Sequence, residues 1–546
     1  MKTKNKTIFA VLFLLTALIS CETDRLPETS IADASYWKTE NDLKLAANYL
    51  YTSLPAVPLS SELMADDAFG INANSISDGS RTVPATDGNY NNNYTFIRAA
   101  NKIIENAPKV LANGTAVTNV NWYVGEAKYF RARAYYNLLM RFGGVPLILK
   151  TLSEDAPELK APQATREEIV NSIYADLDDA VSKLRTATEL NVAIAGITNY
   201  GRISKTAALS LKAEVALFEG TRSKFHGYGD PTKHLTIARD AAKLVMQSGE
   251  HSLFNNYFNL LQVAGEGSTN KENILVHQYG NNNSNVISSH NTCAEIDNGY
   301  YGQTKALVDA YLMKDGLPYT KSPLYIAPNA TTKAKDLFNN RDPRMSERFF
   351  KTGDAYKTGQ LYTIPSTFIK GGYEYRGYFN ATDRDNNKSF IDYPITRYAE
   401  ILLIYAEATF ELNETISDAD LNISINLLRE RPGVGMPKLT NAFVTVNGLD
   451  MRTEIRRERR VELSLEGFRY WDLIRWKTAE IELPKTVLAS YWYTEFGTIS
   501  ASLDSNKYII MQLNNKRKFD PAKDYLWPFP TNELGLNPNL KQNPNW

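Results

Sequence analysis

Apolar positions recur every three to four residues in a series of segments, and most of these have recognisable ends. Thr39 and Asp42 form a capping box ahead of Leu43, Ala47, Leu50 and Leu54, which share one helical face. Tyr94 to Ala107 continues with Ile97, Asn101 and Ile104, and Pro108 is expected to stop it. Asn121 caps a stripe of Tyr123, Ala127, Phe130, Ala134 and Leu138 that ends at Gly143, Gly144 and Pro146. Thr165 and Glu168 cap Ile169, Ile173, Leu177, Ala180 and Leu184. Ser204 opens Ala208, Leu211, Val215 and Phe218, closed by Gly220. Asp230 followed by Pro231 starts Ile237, Ala241 and Leu244, closed by Gly249. Later, Tyr398, Leu402, Tyr405 and Leu412 form a stripe, and Ser417 with Asp420 caps Leu421, Ile425 and Leu428.

These helices come in adjacent pairs of similar length. Small residues such as Ala127, Ala134, Ala207, Ala213 and Ala408 allow close approach between neighbours. The pattern predicts a mostly α fold with tetratricopeptide-like helical hairpins over about 39–108, 121–186, 204–248 and 396–431. The strict tetratricopeptide consensus is absent. Between the pairs lie long irregular stretches, 60–93, 280–394 and 481–525, rich in Asn, Asp, Gly and Tyr. Structureless segments of this length inside a domain are usually functional, and their aromatic content argues against plain disorder.

The N-terminus has a different pattern. Lys2, Lys4 and Lys6 precede an apolar run from Ile8 to Ile19, then Ser20 and Cys21. This reads as an export signal, with residues 1–20 removed, because the run is about half the roughly 20 residues a spanning helix needs. Leu18-Ile19-Ser20-Cys21 resembles a bacterial lipobox, which implies lipidation of Cys21 and a tether over 21–35. The remaining 36–546 read as a single domain, and only Cys293 is left there, so no internal disulfide is expected. With 43% hydrophobic residues the chain can bury one large core or two fused ones, and its formal net charge of zero argues against a nucleic-acid partner. Arg456 to Arg460 lies among Glu454, Glu458, Glu462 and Glu466, which predicts i,i+4 ion pairs rather than a nucleic-acid patch.

No catalytic constellation stands out. The five histidines lack HExxH spacing, there is no phosphate-binding loop or Gly-x-Ser-x-Gly elbow, and Gly433-Val434-Gly435 follows Pro432 as a helix stop. His290 near Cys293 does not make a metal site. Neither cofactor nor metal nor enzymatic activity is expected.

Four motifs, in order, carry a resemblance. They are Gly125-Glu126-Ala127-Lys128-Tyr129-Phe130-Arg131-Ala132 through Arg141-Phe142-Gly143-Gly144-Val145-Pro146-Leu147; Arg397-Tyr398-Ala399-Glu400 through Tyr405-Ala406-Glu407-Ala408; Arg456 to Leu463 with Glu466-Gly467-Phe468-Arg469 and Trp471 to Trp476; and Leu526-Trp527-Pro528-Phe529-Pro530 with Leu536-Asn537-Pro538-Asn539-Leu540. Together they span essentially the whole chain, which resembles the SusD/RagB family. The resemblance implies a SusD-like fold in which four helical hairpins support ligand-binding loops. It also implies an outer-membrane, surface-exposed lipoprotein that captures a nutrient, most often a glycan, and serves as a lid on a TonB-dependent SusC-like barrel. The same lid role for peptide uptake is the alternative, since part of the family serves it. Glu22 and Asp24 after the cysteine resemble the surface-export signal of Bacteroidetes lipoproteins.

A sugar site needs aromatic rings for C–H patches and Asn, Asp or Arg for hydroxyls. Gly88 to Tyr94, with Asn at 89 and 91–93 around Tyr90, has this composition and precedes the helix where the resemblance places ligand contacts. Asp66, Asp67, Asp78 and Arg81 share the same loop, and the second region implied by the resemblance falls at Asn298-Gly299-Tyr300-Tyr301. The candidate set is therefore Asp67, Arg81, Tyr90, Asn92, Asn93, Tyr300 and Tyr301. The tryptophans often found in the family's first loop are missing, so either Tyr90 takes that role or the ligand differs. Tyr491-Trp492-Tyr493 and Tyr373, Tyr375 and Tyr378 are secondary candidates, and Trp471 and Trp476 read as core.

Overall fold

The computed structural model describes residues 36–192, 198–282, 285–363, 371–497 and 501–546. The segments expected to be a signal peptide (1–20) and a tether (21–35), with Cys21, lie outside them. Eight helices carry the scaffold: α1 (Glu40–Leu50), α2 (Gly88–Ala112), α3 (Val117–Phe142), α4 (Arg166–Lys183), α5 (Lys205–His226), α6 (Pro231–Gln247), α7 (Tyr398–Asn413) and α8 (Met451–Glu462). Each of α2 to α7 packs on the next, and α1 leans on α2 and α3. This is the stacking of a helical repeat, in which every element buries its apolar face on its neighbours.

The local chemistry explains the helix starts. Thr39 and Asp42 exchange hydrogen bonds at 2.8 and 3.3 Å, and Thr165 and Glu168 do so at 2.7 and 3.2 Å, so both capping boxes form as the spacing predicts. The Asp230 side chain accepts from the Lys233 N–H at 3.0 Å, with Pro231 at the first helical position. Gly143 ends α3 at a positive φ.

Three helices have ends that differ from expectation. Helix α2 begins six residues early, at Gly88, because Asp87 accepts from the Asn89 N–H at 2.7 Å, and it runs through Pro108 to Ala112 with Val110 fully buried beyond the proline. Core packing of that last turn offsets the hydrogen bond the proline removes. Helix α3 starts at Val117, leaving Asn121 inside it. Helix α5 passes through Gly220, where a Cβ would lie 2.9 Å from the Leu235 nitrogen of α6, and Gly227 in the left-handed region supplies the stop. Gly220 serves the approach of two helices rather than a terminus.

The arginine-rich helix α8 departs most. Glu454, Glu458, Arg459 and Glu462 are buried, and the partners of Glu458 and Glu462 come from distant segments. Glu462 accepts from Arg344, Arg397 and Arg431 at 2.8–3.0 Å, and Arg344 and Arg429 both reach Glu458. Arg397 and Arg431 also bind Glu272, and Arg397 binds Glu466. Among the described residues of α8, Arg457 with Glu454 is the one local i,i+3 pair. Four short antiparallel ladders complete the described fold: Ala68–Phe69 with Gly302–Gln303, Asn273–His277 with Tyr393–Arg397, Gly280–Asn282 with Asn285–Val286, and Val487–Tyr491 with Tyr508–Gln512. One large core runs through the helices, and a small separate cluster of Ala334, Ala489, Tyr491, Tyr493, Phe496 and Ile509 lies under the last ladder. Tyr373, Tyr375, Tyr378 and Trp476 are buried, while Trp471 is half-buried against the core.

Candidate ligand-binding groove

Two neighbouring carboxylates fix the first loop. Arg469 holds Asp66 in a bidentate pair at 2.7 and 2.9 Å, and Arg460 binds Asp67 through Nε at 2.9 Å. Burial pushes the Asp66 carboxyl up, but Arg460 and Arg469 outweigh it and hold it well below the usual range. Asp67 is shifted the other way, by burial and by the Asp66 charge beside it. Below them Glu62 is pushed up to about 8 by burial, with Asp67 adding to the shift.

Beyond this anchor the chain continues as the strand Ala68–Phe69, which pairs with Gly302–Gln303 in the register Ala68↔Gln303 and Phe69↔Gly302. Thr304 ties the junction by donating its N–H to the Asp67 carbonyl (3.1 Å) and its hydroxyl to the Asp66 carbonyl (2.6 Å). The Phe69 ring lies so close to Gly302 that a Cβ there would be well inside contact distance, which explains a glycine at this point of the ladder.

The ladder brings two loops together around a groove of about 460 Å³. Leu63, Phe69, Ile71, Asn72, Asn74 and Ser77 form one side, Asn298, Gly299 and Gly302 the other, and Met511, Gln512 and Arg517 close the end. The Asn74 side-chain Oδ1 is used within its own turn, accepting from the Ile76 N–H at 2.9 Å. Asn72 and Asn298 are exposed at the rim. Arg517 is buried and held in place by donation from Nε to the Leu483 carbonyl at 2.7 Å. The groove thus offers amide donors and acceptors around an apolar floor, which suits a ligand with many hydroxyls and some C–H surface. Among the described residues no carboxylate lines it. Among the described residues no cluster of three or more His, Cys, Asp or Glu forms a cation site, and no helix is long and apolar enough to cross a membrane.

The residues singled out from the sequence fall in different places. Asn298 and Gly299 line the groove, Tyr300 on the same turn is 45% exposed, and Tyr301 is half-buried with its hydroxyl on Glu295 at 3.0 Å. Asp67 is fully engaged in the anchor below. Arg81 stacks between Trp527 and Trp546, 4.6 and 4.9 Å from their ring centres, and donates to the Leu526 carbonyl. Tyr90, Asn92 and Asn93 sit on the first turns of α2, not on a loop. Tyr90 is buried against Phe142 and Phe529, and it lines a different cavity, of about 640 Å³, with Tyr94, Arg98 and Leu536. Asn92 is exposed, whereas Asn93 donates to the Asn89 carbonyl and accepts from Asn137. Phe69, Asn72, Gln512 and Arg517 were not anticipated. The Asn-rich composition of 72–74 was a usable signal for part of this set, but nothing local marks 511–517, whose position follows from a contact across the fold. Cys293 is buried, its thiol donating to the Tyr378 carbonyl at 2.9 Å, and burial pushes that thiol up to about 11.

Comparison with known proteins adds the family context. A model of the SusD family matches residues 261–546, and one described as starch-binding associating with outer membrane matches residues 31–217. SusD-like protein P38 of Formosa agariphila is 26% identical over 500 residues, covering 87% of this chain and 92% of its own length. A SusD-like protein of Bacteroides ovatus is 24% identical over 517 residues, covering 87% of this chain and 83% of its own length. A SusD-like carbohydrate-binding protein from Bacteroides fragilis has a similar fold, with a TM-score of 0.76, 24% identity and coverage of 93% of this chain and all (100%) of its own. A structure determined with xylogluco-oligosaccharide is also similar, at a TM-score of 0.63, 20% identity and coverage of 91% and 97%.

Proposed function

The chain belongs to the SusD family, and from that premise we propose that it captures a nutrient oligosaccharide in the groove between residues 63–77 and 298–302 and delivers it to a TonB-dependent SusC-like barrel in the outer membrane. It does so as a lipoprotein held at the cell surface through Cys21, and it performs no chemistry on the ligand. The observation that carries this reading is the Phe69↔Gly302 ladder, because it assembles an amide-rimmed groove from two loops on a rigid helical stack. The starch-binding description of the matching family model and the xylogluco-oligosaccharide neighbour support a glycan over a peptide.

Sugar sites of this kind are shallow, and affinity comes from several weak contacts rather than from buried area. Asn72 and Asn298 can each give and take a hydrogen bond with adjacent hydroxyls, while Phe69 and Ile71 face C–H surface. Tyr300, exposed beside Asn298, is placed to extend that apolar platform.

Affinity electrophoresis against starch, xyloglucan and other polysaccharides, run beside a peptide library, tests the reading. One polysaccharide is expected to retard the chain, with at least a tenfold loss of affinity in the Asn72→Ala, Asn298→Ala double variant. Retention by peptides alone would replace the glycan with the peptide alternative, and normal affinity in the double variant would remove the groove. Cys21→Ala is expected to leave binding intact in vitro and to abolish surface retention. Co-purification of a barrel with the wild-type chain tests the partner.

A further inference from the structure

We propose that the chain has a second saccharide-binding cavity, separate from the groove, walled by Tyr325, Tyr373, Tyr493 and Tyr508 and floored by Arg341. It rests on the reading above only for the class of ligand. The cavity, of about 310 Å³, adjoins the Val487–Tyr491/Tyr508–Gln512 ladder, whose small apolar cluster is distinct from the main core. Tyr491 and Tyr508 are cross-strand partners with rings 5.8 Å apart, and Tyr493 packs on Tyr491 at 5.1 Å, so the tyrosine walls are held by packing rather than by a ligand.

The floor supplies the second observation. Arg341 is only 5% exposed. Its Nη2 donates to the Val308 and Tyr311 carbonyls at 2.5 and 3.0 Å, yet Nε has no acceptor among the described residues. A buried, unpaired guanidinium N–H costs free energy, and a hydroxyl or ring oxygen reaching the floor would satisfy it.

Charge decides what kind of ligand fits. Asp309 lines the cavity but is paired with Lys305, whose ammonium also lies 4.6 Å from the centre of the Tyr508 ring. A cation would meet Lys333 and Arg341, and an anion would meet Asp309 and Asp336. Phenol faces with balanced polar groups suit an uncharged pyranose, its C–H patch on a ring and its hydroxyls on Asp336 and Arg341. The volume stands at the low end of the roughly 300–1,000 Å³ typical of ligand sites, which gives room for about one or two terminal sugars rather than a long chain. A cavity for chain ends beside a groove for chain interiors would let one polysaccharide be held at two points, raising avidity without tighter single contacts.

The test uses the full chain labelled with 3-fluorotyrosine, its ¹⁹F signals assigned by single Tyr→Phe changes. Glucose, galactose, mannose and xylose, then maltotriose and a xyloglucan oligosaccharide, are titrated in. Saturable shifts at Tyr325, Tyr493 and Tyr508 with at least one probe are expected, with more than fivefold weaker binding in Tyr325→Ala, a change of a half-buried surface side chain. Tyr300 reports the groove in the same spectra. Shifts at Tyr300 alone would overturn the second cavity and keep the groove, whereas shifts at the cavity tyrosines alone would support the cavity and count against the groove. Silence at all four positions would overturn both.

Discussion

The Nε and Nη2 atoms of Arg469 lie 2.7 and 2.9 Å from the two carboxylate oxygens of Asp66, 403 residues earlier in the chain. Asp66 is buried and the Arg469 side chain is 11% exposed, and Arg460 completes the pair from the end of α8. Removing one partner of a buried ion pair leaves an uncompensated charge, which costs about 3–5 kcal/mol. Asp66→Asn is therefore expected to lower the midpoint of denaturant unfolding by that order. It should also weaken ligand binding, since the anchored strand builds one wall of the groove. An unchanged midpoint would show that the pair does not hold the loop.

The buried carboxylates make stability depend on pH with two opposite signs. Burial pushes Glu462 up, but Arg431, Arg397 and Arg344 more than offset this and hold it at about 2 against an unperturbed 4.5. Its contribution is complete above about pH 4.5 and is lost as pH falls towards 2. In the wild-type chain Tm should drop steeply over that window, and Glu462→Gln should flatten the dependence while lowering Tm at neutral pH.

Glu374 works in the other direction. Burial pushes it up to about 8, with the Tyr356 and Tyr362 hydroxyls opposing the shift. A raised carboxyl stabilises the fold most below its unfolded value of about 4.5, and that advantage is lost as pH rises through 8. Glu374→Gln is expected to raise Tm at about pH 9 and to give no gain at about pH 5. Calorimetry at the two pH values checks the sign.

Gly302 has no room for a side chain against the Phe69 ring. Gly302→Ala is expected to destabilise by about 1–3 kcal/mol, the usual cost of overpacking, and to loosen the groove because the ladder passes through this contact. Phe69→Leu in the same chain should recover part of the stability by giving the methyl group space. Thermal melts of the two variants and the double variant measure the coupling.

Gly220 makes a parallel case in the scaffold. A Cβ there would lie 2.9 Å from both the nitrogen and Cγ of Leu235. Gly220→Ala is expected to lower stability by about 1–3 kcal/mol despite the better helix propensity of alanine. If alanine were neutral or stabilising, the close approach of α5 and α6 would not be what the glycine serves.

Local chemistry fixed much of the scaffold. The caps at Thr39, Thr165, Ser204, Asp230 and Ser417 each act within a few residues, so spacing alone revealed them. The four motifs identified the family for the same reason, as contiguous stretches. The glycine at 220 and the proline at 108 misled because each obeyed a helix neighbour rather than its own turn. Asp67 and Tyr90 have the composition of a binding residue, yet one lies in a buried ion pair and the other in an aromatic cluster.

What the sequence by itself determined is therefore the set of helices, their order, and the stretches left for loops. Only the tertiary structure decided which loops meet. Phe69 reaches Gly302, Asp66 reaches Arg469 and Gln512 closes the groove through contacts between residues far apart in the chain. Such contacts depend on the packing of whole elements, and no periodicity or short motif records them. The charged residues of α8 carry the same lesson, since their helical spacing was legible but the arginines that pair with Glu458 and Glu462 came from three distant segments, at 344, 397 and 429–431.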